Sequence, residues 1–190
     1  MMARGCGCLE THGRFYVDFK EIKMRLPRTF VSFSSTDIHY FRLMQAWKAN
    51  TKIDFNFTDC QLHTAIQSVN EAYIKRLCRE RISMAGTFIS LIGKDTRFKK
   101  TYVEWEIEVA LEKNCRIIAV NLDRNHHDGR RINNLLTPEP LKNVGAIFIP
   151  FSPDIIAFAL EDHTRKPNDN YHYLSHVYER LGYTKILGLE

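Results

Sequence analysis

The chain has 190 residues, of which 44% are hydrophobic and 26% are charged, and its formal net charge is +5. These are ordinary values for a globular protein, and the length predicts one domain with a buried core. The basic residues are scattered and form no arginine-rich stripe, which disfavours a nucleic acid as partner. No apolar run reaches membrane-spanning length and the first residues contain no signal-peptide core, so we expect a cytoplasmic protein.

The five cysteines are an odd number and favour reduced thiols over a disulfide framework. Cys60, Cys78 and Cys115 lie in or beside predicted elements and are expected to be small core residues. Cys6 and Cys8 form an isolated Cys-x-Cys pair that lacks further ligands at suitable spacing. We therefore predict no metal site, and we interpret the His126-His127 pair as part of a loop.

The first 27 residues have no sustained periodicity and are predicted to form an irregular N-terminal extension. The strand Thr29–Phe33 follows, and Ser34–Asp37 is a cluster of loop and helix-capping residues. A second strand is predicted at Ile53–Phe57, where apolar residues alternate. Between these strands, apolar residues at helical spacing predict a helix whose core face is Tyr40, Leu43, Met44 and Trp47.

The middle of the chain continues the alternation of helix and strand. Thr58–Gln67 is a polar loop, and Ser68 with Glu71 fits a capping box that starts a second helix. Thr87–Ile92 is a continuous apolar strand, and Lys94–Lys100 is a polar loop. The core face of the second helix is predicted to be Ile74, Leu77, Cys78 and Ile82.

A third helix is predicted to begin at a capping box of Thr101 and Glu104 and to end at Asn114, a residue that tolerates left-handed backbone. Its core face is Val103, Ile107, Ala110 and Leu111. At 100° per residue, Tyr102 and Glu106 share one flank, and Trp105 points away from the core. The run Arg116–Leu122 then predicts a strand that is buried on both faces.

The remainder begins with a long irregular loop, Asp123–Pro140, which leads to a fifth strand at Val144–Phe151. Pro150 marks a bend or a sheet edge near the end of that strand. Ser152 and Pro153 are an N-cap and a first helical residue, followed by the core positions Ile155, Ile156, Ala159 and Leu160. After a polar break, an amphipathic helix is predicted at Tyr171–Leu181. We expect a main domain over residues 28–163 and a helical appendage over residues 164–190.

Strands that alternate with helices predict an α/β fold with a parallel sheet and helices on both faces. The flavodoxin-like strand order 2-1-3-4-5 is favoured for five strands. Ligands bind such sheets beyond the carboxyl ends of the strands. The loops Phe33–Asp37 and Gly93–Thr96 and the first turns of the third helix are expected to converge there. The chain has neither a dinucleotide-binding glycine motif nor a phosphate-binding P-loop, which disfavours hydride transfer and nucleotide hydrolysis.

Simpler interpretations of these residues remain open at this point. Glu106 fits a solvated carboxylate near a helix start, where the helix dipole stabilises it. Ser34–Asp37 fits an ordinary helix cap. Trp105 fits either a partner interface or packing beneath the C-terminal helix.

The order and spacing of several segments resemble the TIR-like domains, in particular the bacterial branch with the TIR proteins of Thoeris antiphage defence. The resemblance spans roughly residues 28–151. In catalytic TIR domains, a glutamate on the third helix lies four residues after an aromatic residue, usually tryptophan, and is required to cleave NAD+. The matching positions here are Glu106 and Tyr102, with tyrosine in place of tryptophan. The similar segments are residues 28–37, 53–59, 74–82, 88–96, 102–111 and 117–122.

The resemblance implies an NAD+ nucleosidase or ADP-ribosyl cyclase with Glu106 as its catalytic residue and NAD+ as substrate, without a further cofactor. It implies that Phe33, Ser34 and Asp37 line the pocket and that Phe33 and Tyr102 hold the nicotinamide. Thr96, from the loop after the third strand, is expected to contact the substrate as well. The product is ADP-ribose, a cyclic isomer or a conjugate, and in the Thoeris branch it is a nucleotide signal for a partner effector.

The resemblance also implies self-association through contacts between TIR domains, with the loop at residues 58–67 gating the pocket. A non-catalytic interaction module is the alternative, and it would use that loop, Trp105 and the C-terminal helix to assemble with partners.

Overall fold

The computed structural model describes residues 26–60, 71–98, 100–164 and 169–188. These residues form an α/β fold with one parallel sheet of six strands. The strands are Arg28–Ser32 (β1), Thr58–Asp59 (β2), Thr87–Ile92 (β3), Arg116–Asn121 (β4), Ile147–Pro150 (β5) and Tyr171–His172 (β6). The α-helices are Ile38–Ala49 (α1), Glu71–Met84 (α2), Trp105–Glu112 (α3), Pro153–Asp162 (α4), Ser175–Arg180 (α5) and Tyr183–Ile186 (α6).

The strand order is β2-β1-β3-β4-β5-β6, and every neighbouring pair is parallel. The predicted flavodoxin-like order 2-1-3-4-5 is confirmed for the first five strands. The predicted strand count is wrong by one, because β6 adds a short strand beside β5.

The two faces of the sheet carry separate apolar cores, because successive side chains of a strand point to opposite faces. Ile89 and Leu91 of β3 face the core beneath α1, α4, α5 and α6. Phe88 and Ile92 of the same strand face the core beneath α2 and α3. The same alternation puts Val31 of β1 on the α1 face and Phe30 on the α2–α3 face.

The second strand begins later than predicted and has only two residues. Phe55 and Phe57 are buried, as their alternation indicates, but this stretch is not a strand. The amide of Phe55 donates to the carbonyl of Ile53, so its backbone closes a local turn instead of a sheet ladder. The rings of Phe55 and Phe57 pack edge to face with centroids 5.7 Å apart, which explains the alternation without a strand.

The start of the third helix also differs from the prediction. Lys100–Glu104 is a π-helical turn, and α3 begins at Trp105. The predicted capping box of Thr101 and Glu104 stays a prediction, because the side chain of Thr101 lies outside the described residues. The predicted end is confirmed, since Asn114 has the left-handed φ of 55°.

Two predictions about helix faces are corrected. Leu43 is 43% exposed and is not core, because the core face of α1 follows Met44 and the partly buried Tyr40 and Trp47. Trp105 is partly buried in the α2–α3 core, with Lys75 Nζ and the Arg79 guanidinium each 5.9 Å from the centre of its ring. Trp105 therefore packs beneath α2 and not beneath the C-terminal helix.

The C-terminal segment begins with a strand where a helix is predicted. The amide of Tyr171 donates to the carbonyl of Ala146, which starts β6, and the following helix begins only at Ser175. Tyr178 and Tyr183 from α5 and α6 are each 1% exposed in the α1-side core. The predicted start of α4 is confirmed, with Ser152 as N-cap and Pro153 in the first turn.

Several sequence predictions lie outside the described residues. These are the N-terminal extension up to residue 25 with Cys6 and Cys8, the capping residue Ser68, and most of the predicted loop at residues 58–67. Within the described part, Cys60 and Cys115 are buried and Cys78 is partly buried, which agrees with the prediction of small core residues.

Candidate functional site

The carboxyl group of Glu106 lies against the end of β1. The hydroxyl of Ser32 donates a hydrogen bond of 2.7 Å to Oε2 of Glu106. Ser32 is the last residue of β1 and is 1% exposed. It follows Phe30 by two residues and therefore points to the same α2–α3 face of the sheet. Glu106 reaches this point from the first turn of α3.

Burial of Glu106 raises its pKa from 4.5 to about 7, and the hydrogen bond from Ser32 opposes part of that rise. The group therefore changes its charge close to neutral pH. As a carboxylate it accepts hydrogen bonds from hydroxyl groups and stabilises a neighbouring positive charge. A carboxyl group whose pKa is strongly raised by burial is a candidate for a functional site.

A row of small side chains lies beside Ser32 on the same face. Ser32 is paired in register with Ser90 of β3, and Ser90 is paired with Ala119 of β4. The hydroxyl of Ser90 is buried and has no hydrogen-bond partner among the described residues. A buried hydroxyl without a partner is uncommon, and here it lies one strand from the Glu106 hydrogen bond.

Cys78 of α2 is a candidate nucleophile that lies close enough to Glu106 to be affected by its charge. Burial raises the pKa of its thiol to about 11, and the charge of Glu106 adds to the rise. The thiol therefore stays protonated at neutral pH, which argues against Cys78 as a nucleophile.

A cleft of about 380 Å³ opens at the carboxyl ends of β1, β3 and β4. Ligands of parallel sheets bind at this end of the strands. The volume is within the range of small-molecule sites. Its walls are the start of α1 and the residues that follow β3 and β4, namely Thr36, Asp37, His39, Tyr40, Gly93, Lys94, Asp95, Leu122 and Asp123.

Two walls of the cleft, the start of α1 and the loop after β3, are in contact through Asp37, Gly93 and Thr96. A Cβ atom on Gly93 would lie 2.5 Å from Oδ2 of Asp37, so the contact requires glycine. The amide of Gly93 donates 2.8 Å to Oγ1 of Thr96, which lies 3.5 Å from Oδ2 of Asp37. Burial raises the pKa of Asp37, and the neighbouring His39 lowers it in part.

Some of the predicted site residues are in contact with other parts of the candidate site, and others lie elsewhere. Asp37 meets Thr96, and Glu106 meets the end of β1. Phe33 packs on the α1 side, stacked on Phe41 with ring centroids 5.0 Å apart, because it follows Ser32 by one residue. Ser34 is 1% exposed, and its hydroxyl lies 2.9 Å from that of Thr36.

Tyr102 is 47% exposed, and no hydrogen bond joins it to Glu106 in the part of the chain that the structure describes. Residues 100–104 form a π-helical turn, so the regular rotation assumed between Tyr102 and Glu106 does not hold. The substrate-binding roles of Phe33, Ser34 and Tyr102 stay predictions.

The sequence prediction missed Ser32 and Ser90. Each is a polar residue within an apolar strand, and each follows a phenylalanine by two residues: Phe30 in β1 and Phe88 in β3. Those two phenylalanine rings are stacked with centroids 5.8 Å apart. The two-residue period therefore indicates that both hydroxyls share the α2–α3 face, but the sequence does not show that a glutamate meets them there.

The described residues contain neither a metal-binding cluster nor a membrane-spanning helix. No group of three or more histidine, cysteine, aspartate or glutamate side chains is arranged to hold a metal ion. No described helix is both long enough and apolar enough to cross a membrane.

Comparison with known proteins identifies the family of this chain. A search of curated proteins finds no match. A family model described as "Thoeris protein ThsB, TIR-like domain" matches residues 30–127, which is more than half of the chain. The matched range contains the last three residues of β1 and all of β2 to β4, and therefore both sides of the Ser32–Glu106 hydrogen bond. The chain belongs to the TIR-like domain family of the Thoeris protein ThsB.

Proposed function

We propose that this protein cleaves the nicotinamide–ribose bond of NAD+ and that Glu106 is its catalytic residue. The observation that carries the proposal is the hydrogen bond of 2.7 Å from Ser32 to a carboxyl group whose pKa is about 7. This acid lies at the carboxyl end of a central strand, the part of a parallel sheet where ligands bind. Membership in the TIR-like family supports the same activity.

The reaction requires a carboxylate close to the ribose and a site that shields the ribose from water. The bond between ribose C1′ and the nicotinamide nitrogen breaks, and its electron pair leaves with the ring, which becomes neutral nicotinamide. The ribose carbon becomes positively charged and resembles an oxocarbenium ion. Ionised Glu106 accepts hydrogen bonds from ribose hydroxyls and stabilises this charge, because its partly buried site screens the interaction less than water would.

A nucleophile then captures the cation and loses a proton. Water yields ADP-ribose, a nitrogen of the adenine ring yields a cyclic isomer, and a separate acceptor yields a conjugate. The reaction needs no redox cofactor because no electron is exchanged with another molecule. We further propose that the product is a nucleotide signal for a partner effector in antiphage defence, and that copies of the chain associate to complete the site.

The direct test is to incubate the purified full chain with NAD+ and to identify the products by mass spectrometry. We expect nicotinamide release from the wild-type protein and a loss of about 100-fold or more in Glu106→Gln, which keeps the shape and removes the charge. The rate should rise with pH and level off above about 7, since the carboxylate is the active form.

Glu108→Gln is the matched control, because Glu108 lies on the same helix but is exposed. Its turnover should stay near that of the wild type. Full activity in Glu106→Gln would reject the assignment of the catalytic residue. A wild-type protein that releases no nicotinamide, even when concentrated enough to self-associate, would instead support the non-catalytic interaction module.

A further inference from the structure

The loop after β4 is held in a strained conformation by contacts from three elements. His127, Asp128 and Gly129 have consecutive positive φ angles of 47°, 53° and 76°. Residues other than glycine adopt such angles at a cost in free energy, and clusters of them occur mainly at functional sites. A Cβ atom on Gly129 would lie 3.2 Å from Cβ of Pro150, so this position also favours glycine.

Buried side chains fix the backbone of this loop. The carboxamide of Asn121 donates to the carbonyls of Gly129 and Arg131, at 2.7 and 2.9 Å. The hydroxyl of Tyr183 donates to the carbonyl of Asp128 at 2.9 Å, and that of Tyr178 donates to the carbonyl of Arg130 at 3.3 Å. These contacts fix where the loop directs its cationic side chains.

Those side chains line a pocket of about 170 Å³ between the loop and the turn that joins β6 to α5. None of the lining residues carries a carboxylate. The side chain of Arg131 is exposed, and its guanidinium makes no hydrogen bond or ion pair among the described residues. The pocket is lined by His127, Arg130, Arg131, His172, Tyr173, Leu174, Ser175 and Tyr178.

Only some of the hydrogen-bond donors of Arg130 have a partner within the chain. One of its terminal nitrogens lies 3.1 Å from Oδ2 of Asp128, which does not line the pocket. Its guanidinium also lies 5.9 Å from the centre of the Tyr178 ring. Because a guanidinium has five N–H donors, several remain available to an anion.

We propose that the pocket formed by His127, Arg130, Arg131 and His172 binds a phosphate group, either free or carried by a nucleotide. Two arginines are suited to the tetrahedral oxygens of phosphate, because their planar donors bind two oxygens at once. The volume is below the roughly 300–1,000 Å³ of sites that enclose whole small molecules. The pocket therefore receives the phosphate itself, and a nucleoside attached to it extends outside.

The charges around His172 agree with an anion site. Burial lowers the pKa of His172, and Arg131 and His127 lower it further. Arg130 and the hydroxyls of Tyr173 and Tyr178 also line the pocket, and the nearby carboxylate of Asp128 pairs with Arg130. A bound phosphate would offset the neighbouring positive charges, so it should raise the pKa of His172 and bind more tightly as the pH falls.

The test uses the full chain with inorganic phosphate, adenosine 5′-monophosphate and adenosine as separate probes. Calorimetry should show saturable phosphate binding that weakens as sodium chloride is added. Nuclear magnetic resonance of the histidine rings should show a higher pKa for His172 with phosphate than with chloride at equal ionic strength. Tighter binding of the monophosphate than of inorganic phosphate identifies a nucleotide ligand, and the reverse order identifies free phosphate.

Arg131→Gln should weaken phosphate binding about tenfold, the loss typical of one charge-assisted hydrogen bond. Arg81→Gln is the matched control, because Arg81 is also exposed and its loss changes the net charge equally. Its affinity for phosphate should stay within about twofold of the wild type. No saturable phosphate binding by the wild type would overturn the proposal, as would an equal loss in both variants or an adenosine affinity that matches the monophosphate. None of these readouts requires NAD+ turnover.

Discussion

At the scale of single residues, Glu106 lies in a buried environment that disfavours its ionised form. The folded chain raises its pKa from 4.5 to about 7, mainly because water is excluded. Between these two pH values the folded protein holds a proton that the unfolded chain has released. The free energy of unfolding must therefore fall as the pH rises through this window, and it levels off above the folded pKa.

Glu106→Gln should remove this pH dependence, because glutamine does not ionise. Near about pH 4 both proteins carry a neutral side chain at this position and should be similarly stable. Above the folded pKa of about 7 the variant should be the more stable protein. The gain is at most about 3.5 kcal/mol, because the pKa rises from 4.5 to about 7 and a change of one in pKa corresponds to roughly 1.4 kcal/mol.

Thermal or urea unfolding of both proteins across this pH range measures the difference. A gap between their unfolding free energies that stays constant with pH would contradict the raised pKa.

The TIR resemblance singled out Glu106 as the candidate catalytic residue, which stays a prediction, but neither it nor the sequence predicted the hydrogen bond from Ser32. The sequence does not show whether a serine at the end of a strand donates a hydrogen bond to a carboxylate or packs against apolar side chains. Ser32 acquires its role because α3 crosses the end of β1, a contact between residues 74 positions apart. Contacts at such separations depend on how the helix lies on the sheet, which a single sequence does not encode locally.

At the scale of elements, the junction between β1 and α1 depends on the loop after β3. The Asp37 carboxyl group fits against Gly93 with no room for a methyl group, and Thr96 caps the same loop from within. The cleft beyond the sheet owes its shape to this contact, because Asp37 and Gly93 both line it.

Gly93→Ala should destabilise the protein by about 1 kcal/mol, the lower end of the range for overpacking, since the new Cβ atom would lie 2.5 Å from Oδ2 of Asp37 and displace that carboxyl group. Gly86→Ala is the control, because a Cβ atom there meets nothing within 4 Å. That control should be neutral or slightly stabilising. Chemical denaturation of the two variants beside the wild type tests the contrast, and equal effects would contradict the contact.

The elements that the sequence predicted well have either a continuous apolar run or a clear helical period. Thr87–Ile92 is a strand with the predicted bounds, and α4 buries the four predicted core residues. Strands β2 and β6 have two residues each, too few to show any alternation. The π-helical turn at Lys100–Glu104 has no spacing that separates it from an α-helix, so the side on which Tyr102 lies could not be predicted.

At the scale of the whole molecule, the C-terminal segment completes one of the two cores. Tyr178 and Tyr183 are buried with residues of α1 and α4 beneath the same face of the sheet. Their hydroxyl groups reach the carbonyls of the loop after β4. Residues that come last in the chain therefore stabilise a loop that precedes β5.

Tyr178→Ala should cost about 3–5 kcal/mol of unfolding free energy, the range for deleting a large aromatic side chain from a core. Tyr178 is 1% exposed, whereas Tyr73 is 41% exposed, so Tyr73→Ala provides a control with the same change of side chain. The control should lose less than about 1 kcal/mol. Comparable losses in the two variants, measured by denaturant unfolding, would show that α5 is peripheral to the core.

The two outermost strands of the sheet have a consequence for how copies of this protein meet. Each exposes only a couple of peptide groups, in the part of the chain that the structure describes, and an edge so brief offers little template for adding a strand from another chain. Stacking by backbone pairing, as in a fibre, is therefore disfavoured. We therefore expect copies of the described part to meet through complementary helix and loop surfaces, where side chains set the geometry and single substitutions can alter it.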